Sequence, residues 1–348
     1  MIVAGDVAVA PGDSFAFRGF PEAFRRRPLC VNLEGAIIEA EEWDGDAVCN
    51  SPAVWESFAQ FEPGPVFLAN NHIRDFSGGI AGTKRKLAGM GLRGFGAGAS
   101  QAEAARPAVC TTPEGDYILC GFGWRVIGCW SATRRRSGVN PLDGRVVESQ
   151  LEGHLEAHPS KRVVVVLHWS YEFERYPQPG HRELAFRLID AGAYAVIGHH
   201  SHVVGPVERY RDRTIAYGLG NWAFSHGRFH EGRLRLPESS FHGLAIELGA
   251  AGDRVHHVRF RPPNTVQYEH AEDVVDSALS VRPAFEGMGH REYLRWFKEH
   301  RIKRRGLPIY TSTDRSVPNR LRDALVMTRH FGIITACALG LKGQGRNA

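Results

Sequence analysis

The sequence predicts an α/β fold with a mixed sheet, and three observations support this prediction. Several short runs are apolar without interruption, which indicates strands buried on both faces. Amphipathic stretches with a helical period separate some of these runs. Two late strand-like runs, at residues 244–248 and 255–260, follow one another with no helix between them, so part of the sheet is expected to be antiparallel.

The apolar runs predict strands at residues 2–5, 29–33, 66–69, 117–122, 163–167, 194–197 and 214–219. Helices are predicted at residues 79–89, 146–158 and 183–190. After Pro263 the pattern becomes helical, with Tyr293, Trp296 and Phe297 at i, i+3 and i+4. We therefore predict a catalytic domain in residues 1–263 and a basic, mainly helical C-terminal extension in residues 264–348.

Composition and cysteine usage are typical of a globular protein in a reducing compartment. The chain has 348 residues, of which 43% are hydrophobic and 23% are charged. Its six cysteines are scattered without a C-x-x-C pair, which argues against a zinc ribbon or a disulfide framework. No secretory signal is recognisable, and the late apolar run 331–341 is about half as long as a membrane-spanning helix requires. The sequence thus predicts a cytoplasmic protein without a transmembrane segment.

The positive charge is concentrated near the C-terminus. Residues 282–348 carry 14 Lys or Arg against 5 Asp or Glu. Such a segment attracts anionic partners, whereas the lack of a recognisable nucleic-acid-binding module argues against nucleic acid. The extension could serve as a lid, as the arm of a homodimer or as a docking surface, and the sequence does not choose among these roles.

Polar residues of the types that bind metals follow five of the predicted strands. The carboxyl ends of strands in an open α/β sheet face a common crevice, so segments far apart in sequence would deliver these side chains to one place. The residues concerned are Asp6, Glu34, Asn71, His72, His168, His199, His200 and His202.

This mixture of carboxylate, amide and imidazole groups suits one or two divalent ions, with manganese, iron, zinc and calcium all compatible. With two ions, Glu34 or a water would bridge them and could activate a hydroxide for phosphoryl displacement. One ion would be held by Asp6 and His202, and the other by Asn71, His168 and His200. His72, oriented by Asp75, would donate a proton to the leaving group or stabilise the charge of the transition state.

Six motifs, in this order along the chain, resemble those of the CapA family, which is named for poly-γ-glutamate capsule synthesis. They are Gly5-Asp6, Asn32-Leu33-Glu34-Gly35, Ala69-Asn70-Asn71-His72 with Asp75 and Gly78, His168-Trp169 with Glu172, Gly198-His199-His200-Ser201-His202-Val203, and Tyr217-Gly218-Leu219-Gly220-Asn221 with Phe224.

The CapA family is similar in fold to the calcineurin-like metallophosphoesterases, so the resemblance implies two packed mixed β-sheets flanked by helices. It also implies that Glu172, His199 and Asn221 line or support the site, with Glu172 and His199 available for catalysis. Tyr171 and Trp222 stand beside motif residues and are candidates for contact with a substrate.

The sequence also departs from these patterns. The wider phosphoesterase pattern has a histidine two residues after the first aspartate, where this chain has Ala8. One metal ligand of that pattern is therefore missing. Residues 7–13 lack the arginine that usually follows the aspartate in capsule proteins, and no N-terminal membrane anchor is recognisable.

Three functions are compatible with these residues. The first is a metal-dependent hydrolase of the metallophosphoesterase type, acting on a phosphoester or related anionic substrate in polymer or natural-product biosynthesis. The second is a metal-dependent epimerase of a ribosomal peptide, in which His72 with Asp75 and one of His199, His200 or His202 exchange a proton at an α-carbon. The third is a non-catalytic capsule assembly factor with a structural metal. The partner would accordingly be an anionic small molecule, a polymer or a peptide.

Overall fold

The fold is described from a computed structural model. The structure describes residues 1–250, 252–261, 264–270, 283–302 and 306–338, with side chains as far as Arg329. The basic residues 303–305 and the side chains of the apolar run 331–341 lie outside the described residues.

The strands come mostly from the apolar runs and their neighbours. In chain order they are β1 (Ile2–Ala8), β2 (Ala16–Arg18), β3 (Leu29–Leu33), β4 (Ala36–Ile37), β5 (Cys49–Asn50), β6 (Pro63–Phe67), β7 (Gly94–Phe95), β8 (Ala97–Gly98), β9 (Ala108–Thr112), β10 (Gly115–Gly123), β11 (Gly138–Val139), β12 (Arg162–His168), β13 (Ala195–His199), β14 (Val207–Tyr210), β15 (Arg213–Ala216), β16 (Asn221–Phe224), β17 (His242–Glu247), β18 (Arg254–Arg261) and β19 (Thr265–Glu269).

The longer helices connect the strands or follow them. The α-helices are α1 (Glu22–Arg25), α2 (Val54–Phe58), α3 (Gly79–Gly89), α4 (Gln101–Ala104), α5 (Gly144–Ala157), α6 (Pro179–Asp190), α7 (His290–His300) and α8 (Val317–Ala338). Three short 3₁₀ segments are Ala40–Glu42, Arg125–Ile127 and Glu238–Phe241. Among the described helices, none is both long enough and apolar enough to cross a bilayer.

The strands form two mixed sheets and two short pairs. The first sheet has the order β2-β19-β18-β17-β1-β3-β6-β7, and β16 pairs with the second half of β1. Its strands β1, β3, β6, β7 and β16 are parallel to one another, whereas β17 and β18 run antiparallel to their neighbours. The second sheet has the order β14-β15-β13-β12-β10-β9, with a parallel centre and an antiparallel strand at each edge.

Burial on both faces explains the uninterrupted apolar runs. On β12, Val164 and Val166 belong to a core that also contains residues of β1, β3 and β6, so this core lies between the two sheets. Val163 and Val165 point the other way, into a second core that contains α5, α6 and part of the C-terminal extension. Two packed mixed sheets with flanking helices confirm the predicted calcineurin-like fold.

The C-terminal extension is joined to the loop between β12 and α6. Phe285, Tyr293 and Phe297 are fully buried in the second core. The Tyr293 hydroxyl donates to the carbonyl of Pro177 at 2.7 Å, and the Gly180 amide donates to the carbonyl of Tyr310 at 2.8 Å. The extension therefore packs beside α6, adds to the core on the outer side of the second sheet and supports a loop that begins beside His168.

Two details differ from the sequence-based predictions. Strand β1 continues beyond Gly5 to Ala8, with an irregularity in its pairing near Asp6, so Asp6 lies within the strand rather than after it. The first sheet also continues past Pro263, because β19 pairs with β18 and β2. The division into a domain at 1–263 and an extension at 264–348 remains a prediction, with β19 on the sheet side of any such boundary.

A buried ion pair generates the first testable prediction. Arg182 on α6 binds Glu208 on β14 through two hydrogen bonds, of 3.0 and 2.6 Å, and both side chains are at most 3% exposed. Replacing Arg182 with Met would leave the Glu208 carboxylate buried without its cation. We expect Arg182→Met to lower the free energy of unfolding by about 3–5 kcal/mol.

The measurement is urea unfolding followed by fluorescence. The matched control is Arg26→Met, which breaks the surface pair between Arg26 and Glu22 on α1, where both side chains are largely exposed. Surface pairs contribute little, so the control should leave the unfolding midpoint unchanged. Equal midpoints for the two variants would contradict the prediction.

Candidate metal centre

The site is formed where the ends of both parallel sheet regions meet. Glu34 directly follows β3, while His168 and His199 are the last residues of the adjacent strands β12 and β13. A hydrogen bond of 2.9 Å between Nδ1 of His199 and Oδ1 of Asp6 joins the second sheet to the first. The structure thus brings together ligand-type residues from segments that are nearly 200 positions apart.

Asp6 is the polar centre of this arrangement. Its Oδ1 accepts hydrogen bonds from Asn32 Nδ2 at 2.8 Å and from His199, and its Oδ2 accepts one from the backbone amide of His200 at 3.3 Å. His202 Nδ1 lies 3.2 Å from Oδ2. Burial alone would raise the pKa of Asp6, but the hydrogen bonds and charges of His199 and His202 lower it well below its usual value. The carboxyl group is therefore ionised.

Gly5 allows Asp6 to take this position. A Cβ at Gly5 would lie 2.3 Å from the carbonyl oxygen of Gly220, which is far inside van der Waals contact. The Asp6 amide donates to this same carbonyl at 2.9 Å. Only a residue without a side chain permits the two backbones to approach so closely, which explains the glycine before the aspartate.

Asn32 is a residue of the site to which the sequence analysis gave no role. It lies within the buried strand β3, and its Nδ2 donates to Oδ1 of Asp6 at 2.8 Å and to Oε2 of Glu34 at 2.6 Å. Its Oδ1 in turn accepts from Asn70 Nδ2 at 3.2 Å. One amide therefore sets the spacing of the two carboxylates. An amide inside an otherwise apolar strand was the signal that could have identified it.

Glu34, His168 and His200 form a buried group with the geometry of a metal site. Each residue offers one ligand atom, and these three atoms lie within 4.8 Å of one another. His168 Nε2 is 3.5 Å from Glu34 Oε1 and 2.8 Å from Asn71 Oδ1, so the amide oxygen is also within reach. It is the one such group of His, Cys, Asp and Glu residues in the part of the chain that the structure describes.

The protonation states of this triad suit a cation. Burial lowers the pKa of His168 well below its usual value, an effect that the adjacent His200 increases, and it lowers the pKa of His200 to about 3. Both imidazoles are therefore neutral and keep a lone pair. Burial, together with the charge of Asp6, raises the pKa of Glu34 to about 7, and the charges of His202 and His72 only partly offset this rise.

Unpaired buried atoms give an independent test of whether a metal fits. Glu34 Oε1, His168 Nδ1 and His200 Nδ1 are buried without a hydrogen-bond partner. A buried polar atom left in this state costs about 1–3 kcal/mol. A divalent ion would compensate the unpaired atoms that point toward it. The donors are oxygen and nitrogen atoms without a thiolate, a set that fits manganese, iron, zinc or calcium. The residues therefore fit the predicted ion, whose identity and number stay open.

The backbone around His200 is strained. His200 has φ of 91° and His202 has φ of 53°, both in the left-handed region that side-chain-bearing residues rarely adopt. Such conformations cost on the order of 1–3 kcal/mol and persist where surrounding contacts hold them. Here the His200 amide is held by Asp6. The strain turns both imidazoles toward the site.

His202 is oriented by Asn221, as the family resemblance implies for a supporting residue. The Asn221 amide nitrogen donates to the carbonyl of Ser240 at 3.1 Å, so its Oδ1 faces Nδ1 of His202 at 2.9 Å. Burial opposes a charge on His202, but the hydrogen bond and charge of Asp6 raise its pKa to about 9. With Oδ1 and Oδ2 of Asp6 already engaged, the roles of Asp6 and His202 as metal ligands stay predictions.

His72 and Asp75 form a hydrogen-bonded pair at the mouth of the site. His72 Nδ1 lies 2.7 Å from Asp75 Oδ2, and the two side chains are 21% and 31% exposed. Burial opposes protonation of His72, but the hydrogen bond and charge of Asp75 raise its pKa. Glu172 is exposed, and its charge favours protonation of His72, His200 and His202.

The two aromatic candidates are buried. Trp222 is fully buried and stacks on Phe24 with ring centroids 5.9 Å apart. Tyr171 packs against Trp124 in the second core, and its hydroxyl donates to the carbonyl of Pro308 at 3.2 Å. Packing accounts for the burial of both residues, and their contact with a substrate stays a prediction.

Asn32 provides a test of the metal centre that removes none of the triad. We expect Asn32→Ala to weaken metal binding by about 10–100-fold, because groups that orient ligands typically have effects of this size. Calorimetric titration of chelator-treated protein with manganese chloride measures the dissociation constant.

The matched control is Asn140→Ala. Asn140 is also a buried amide, but it bonds the carbonyl of Gly121 and the side chain of Gln150. This variant should lose stability and keep its metal affinity. An Asn32→Ala protein with the wild-type dissociation constant, or equal losses in both variants, would refute the role assigned to Asn32.

Comparison with known proteins gives the chain a family. The family model described as bacterial capsule synthesis protein PGA_cap matches residues 14–226, beginning after the Gly5-Asp6 motif. A probable polyglutamine synthesis accessory protein of Mycobacterium tuberculosis is 34% identical over 208 residues, which is 55% of this chain and 54% of that protein. The PGA biosynthesis protein CapA of Bacillus subtilis is 34% identical over 166 residues, or 46% of this chain and 42% of that protein.

The capsule biosynthesis protein CapA of Bacillus anthracis is 29% identical over 165 residues, which is 46% of this chain and 40% of that protein. The chain spans about half the length of the curated relatives that it matches. The family model covers more than half of this chain and contains five of the six motifs. The chain therefore belongs to the bacterial capsule synthesis protein family, the CapA family that its motifs resemble.

Proposed function

We propose that this protein is a metal-dependent hydrolase that acts on a phosphoester or a related anionic substrate during the synthesis of a polymer or natural product. The observation that carries the proposal is the buried triad of Glu34, His168 and His200 at the carboxyl ends of the strands. The names of the relatives refer to polyglutamine, PGA and capsule synthesis, which favours a polymer or its precursor as the substrate.

Each group of the site can be given a task. A bound divalent ion would act as a Lewis acid and lower the pKa of a coordinated water. Glu34, His168 and His200, with the Asn71 amide, would hold this ion. Asn32 would keep the Glu34 carboxylate in place through its hydrogen bond of 2.6 Å.

His72 is the proposed proton donor to the leaving group. Its Nδ1–H donates to Asp75, which fixes the ring and leaves Nε2 for the substrate. The pair is partly exposed, so a substrate can reach it, and Asp75 stabilises the protonated ring. A histidine that can be protonated at neutral pH is well suited to general acid catalysis.

A reducing, cytoplasmic location is part of the proposal. The five cysteines whose side chains the structure describes are all buried and unpaired. Burial raises the pKa of Cys30 and Cys129 well above the usual value for a thiol, so these groups are unreactive. Unpaired thiols of this kind are typical of proteins that fold in a reducing compartment.

Activity on aryl phosphates in the presence of manganese tests the hydrolase. We expect Asp75→Asn to lower kcat by about 100-fold or more, because it removes the charge that supports protonated His72. The control is His290→Asn, which breaks an exposed histidine–carboxylate pair with Glu183 between α7 and α6. The control should keep wild-type kcat, and an inactive wild-type protein with several metals and substrates would contradict the proposal.

A peptide epimerase is the second candidate, and one observation favours it. Among the described residues the triad is the one metal-ligand group, and Ala8 is packed in an apolar cluster where a two-metal phosphoesterase has a ligand. A single ion beside the His72–Asp75 pair could acidify an α-proton, with one of the late histidines accepting or returning it. This arrangement does not need the second ion that assists phosphoryl transfer.

Incubation with candidate peptides in deuterium oxide distinguishes the two reactions. An epimerase would incorporate one deuteron at one residue, seen as a mass increase of about 1 Da, and His72→Asn would slow the exchange by about 100-fold. A hydrolase would give no exchange and would release phosphate from its substrate. Absence of exchange in every peptide tested would remove the epimerase.

A further inference from the structure

Helix α8 carries an exposed apolar stripe. Val317, Leu321 and Leu325 are 69%, 68% and 56% exposed, and their spacing of four residues puts them on one face of the helix. Seven large hydrophobic side chains are exposed in the described part of the chain, and these three are the most exposed of them. Hydrophobic residues scattered singly need no explanation, but a stripe of three on one helix does.

The opposite face of α8 already holds the helix against the protein. Val326 is 8% exposed and belongs to the second core. The Asn319 amide nitrogen donates to the carbonyl of Ser312 at 3.1 Å, and the Tyr310 hydroxyl donates to Asp323 at 2.8 Å. These contacts fix the orientation of α8. One side of the helix packs against the protein, and the apolar stripe on the other side faces outward.

Arginines border the stripe on both sides. At 100° per residue, Arg320 lies on one side of the line through the stripe, and Arg322 and Arg329 lie on the other. Asp323 is the one carboxylate between Val317 and Arg329, and it lies on the anchored side. Exposed apolar side chains flanked by guanidinium groups are typical of helices that lie in the surface of an anionic membrane.

The charges also argue against a second copy of the chain as the partner that covers the stripe. Two α8 helices packed stripe against stripe would bring the bordering arginines of one copy close to those of the other, which is unfavourable. The stripe is moreover a convex ridge on a single helix rather than a groove, so it suits insertion between lipid headgroups. Residues 282–348 as a whole carry an excess of nine positive charges, which adds attraction over a longer distance.

We propose that the first half of α8 is a membrane-docking surface, with Val317, Leu321 and Leu325 inserted into the interface and Arg320 and Arg322 facing anionic lipid headgroups. This binding is peripheral and reversible. It does not depend on the metal centre or on the proposed function.

Vesicle co-sedimentation of the full chain tests this inference. Vesicles of phosphatidylcholine alone are compared with vesicles that also contain phosphatidylglycerol. We expect binding to the anionic vesicles, weakened about tenfold for each leucine changed in Leu321→Gln and Leu325→Gln. Arg320→Gln and Arg322→Gln should each weaken binding to the anionic vesicles by about fivefold. Added salt should also weaken this binding.

Two controls show whether a loss of vesicle binding is specific to the stripe and independent of unfolding. Met90→Gln removes an exposed hydrophobic residue at the end of α3 and should bind like the wild type. Leu321→Gln, Leu325→Gln and Arg320→Gln should keep the wild-type urea midpoint, since these three side chains are exposed and glutamine is a good helix former. Equal binding to both kinds of vesicle, or no effect of the leucine changes, would overturn the inference. So would a dimer in sedimentation equilibrium that Leu321→Gln dissociates, because the stripe would then be a contact between copies.

Discussion

The geometry of the whole site depends on one buried carboxylate. Asp6 is completely excluded from solvent, and an ionised group in that position is tolerated only if donors surround it. Its donors come from β3, from the end of β13 and from the turn that follows. Because β1 belongs to the first sheet and β13 to the second, this acceptor ties together two layers whose other contacts are largely apolar.

This tie also determines where the donors of the triad lie. Asn32 bonds both Asp6 and Glu34, and the amide of His200 bonds Asp6. Two of the three residues of the triad are thus positioned from the same carboxylate. Non-directional packing of valines and leucines could not fix their separation this closely, whereas hydrogen bonds of about 3 Å can. The strained φ of His200 is maintained by the same contact.

Much of this could be predicted from the sequence, because it follows from strong local patterns. The apolar strands and the polar residues at their ends are enough to predict that Glu34, His168 and His200 lie near one another. Interactions that depend on the register between strands could not be predicted from the sequence. The sequence alone does not indicate a role for Asn32 in the site, since that role depends on which carboxylates its amide faces. The short edge strands were also missed, because two-residue strands such as β7 and β8 leave no periodic pattern.

The seating of the C-terminal extension has a consequence for how the protein can be divided. The family match ends at residue 226, yet Phe285, Tyr293 and Phe297 fill the outer side of the second sheet. A fragment cut at the end of the match would keep α5 and α6 on that side of β12 and β13, but it would lose the buried aromatic residues of the extension and the tyrosine that bonds the loop at Pro177. The residues that match the family model and the residues that complete the buried core therefore have different limits in this chain.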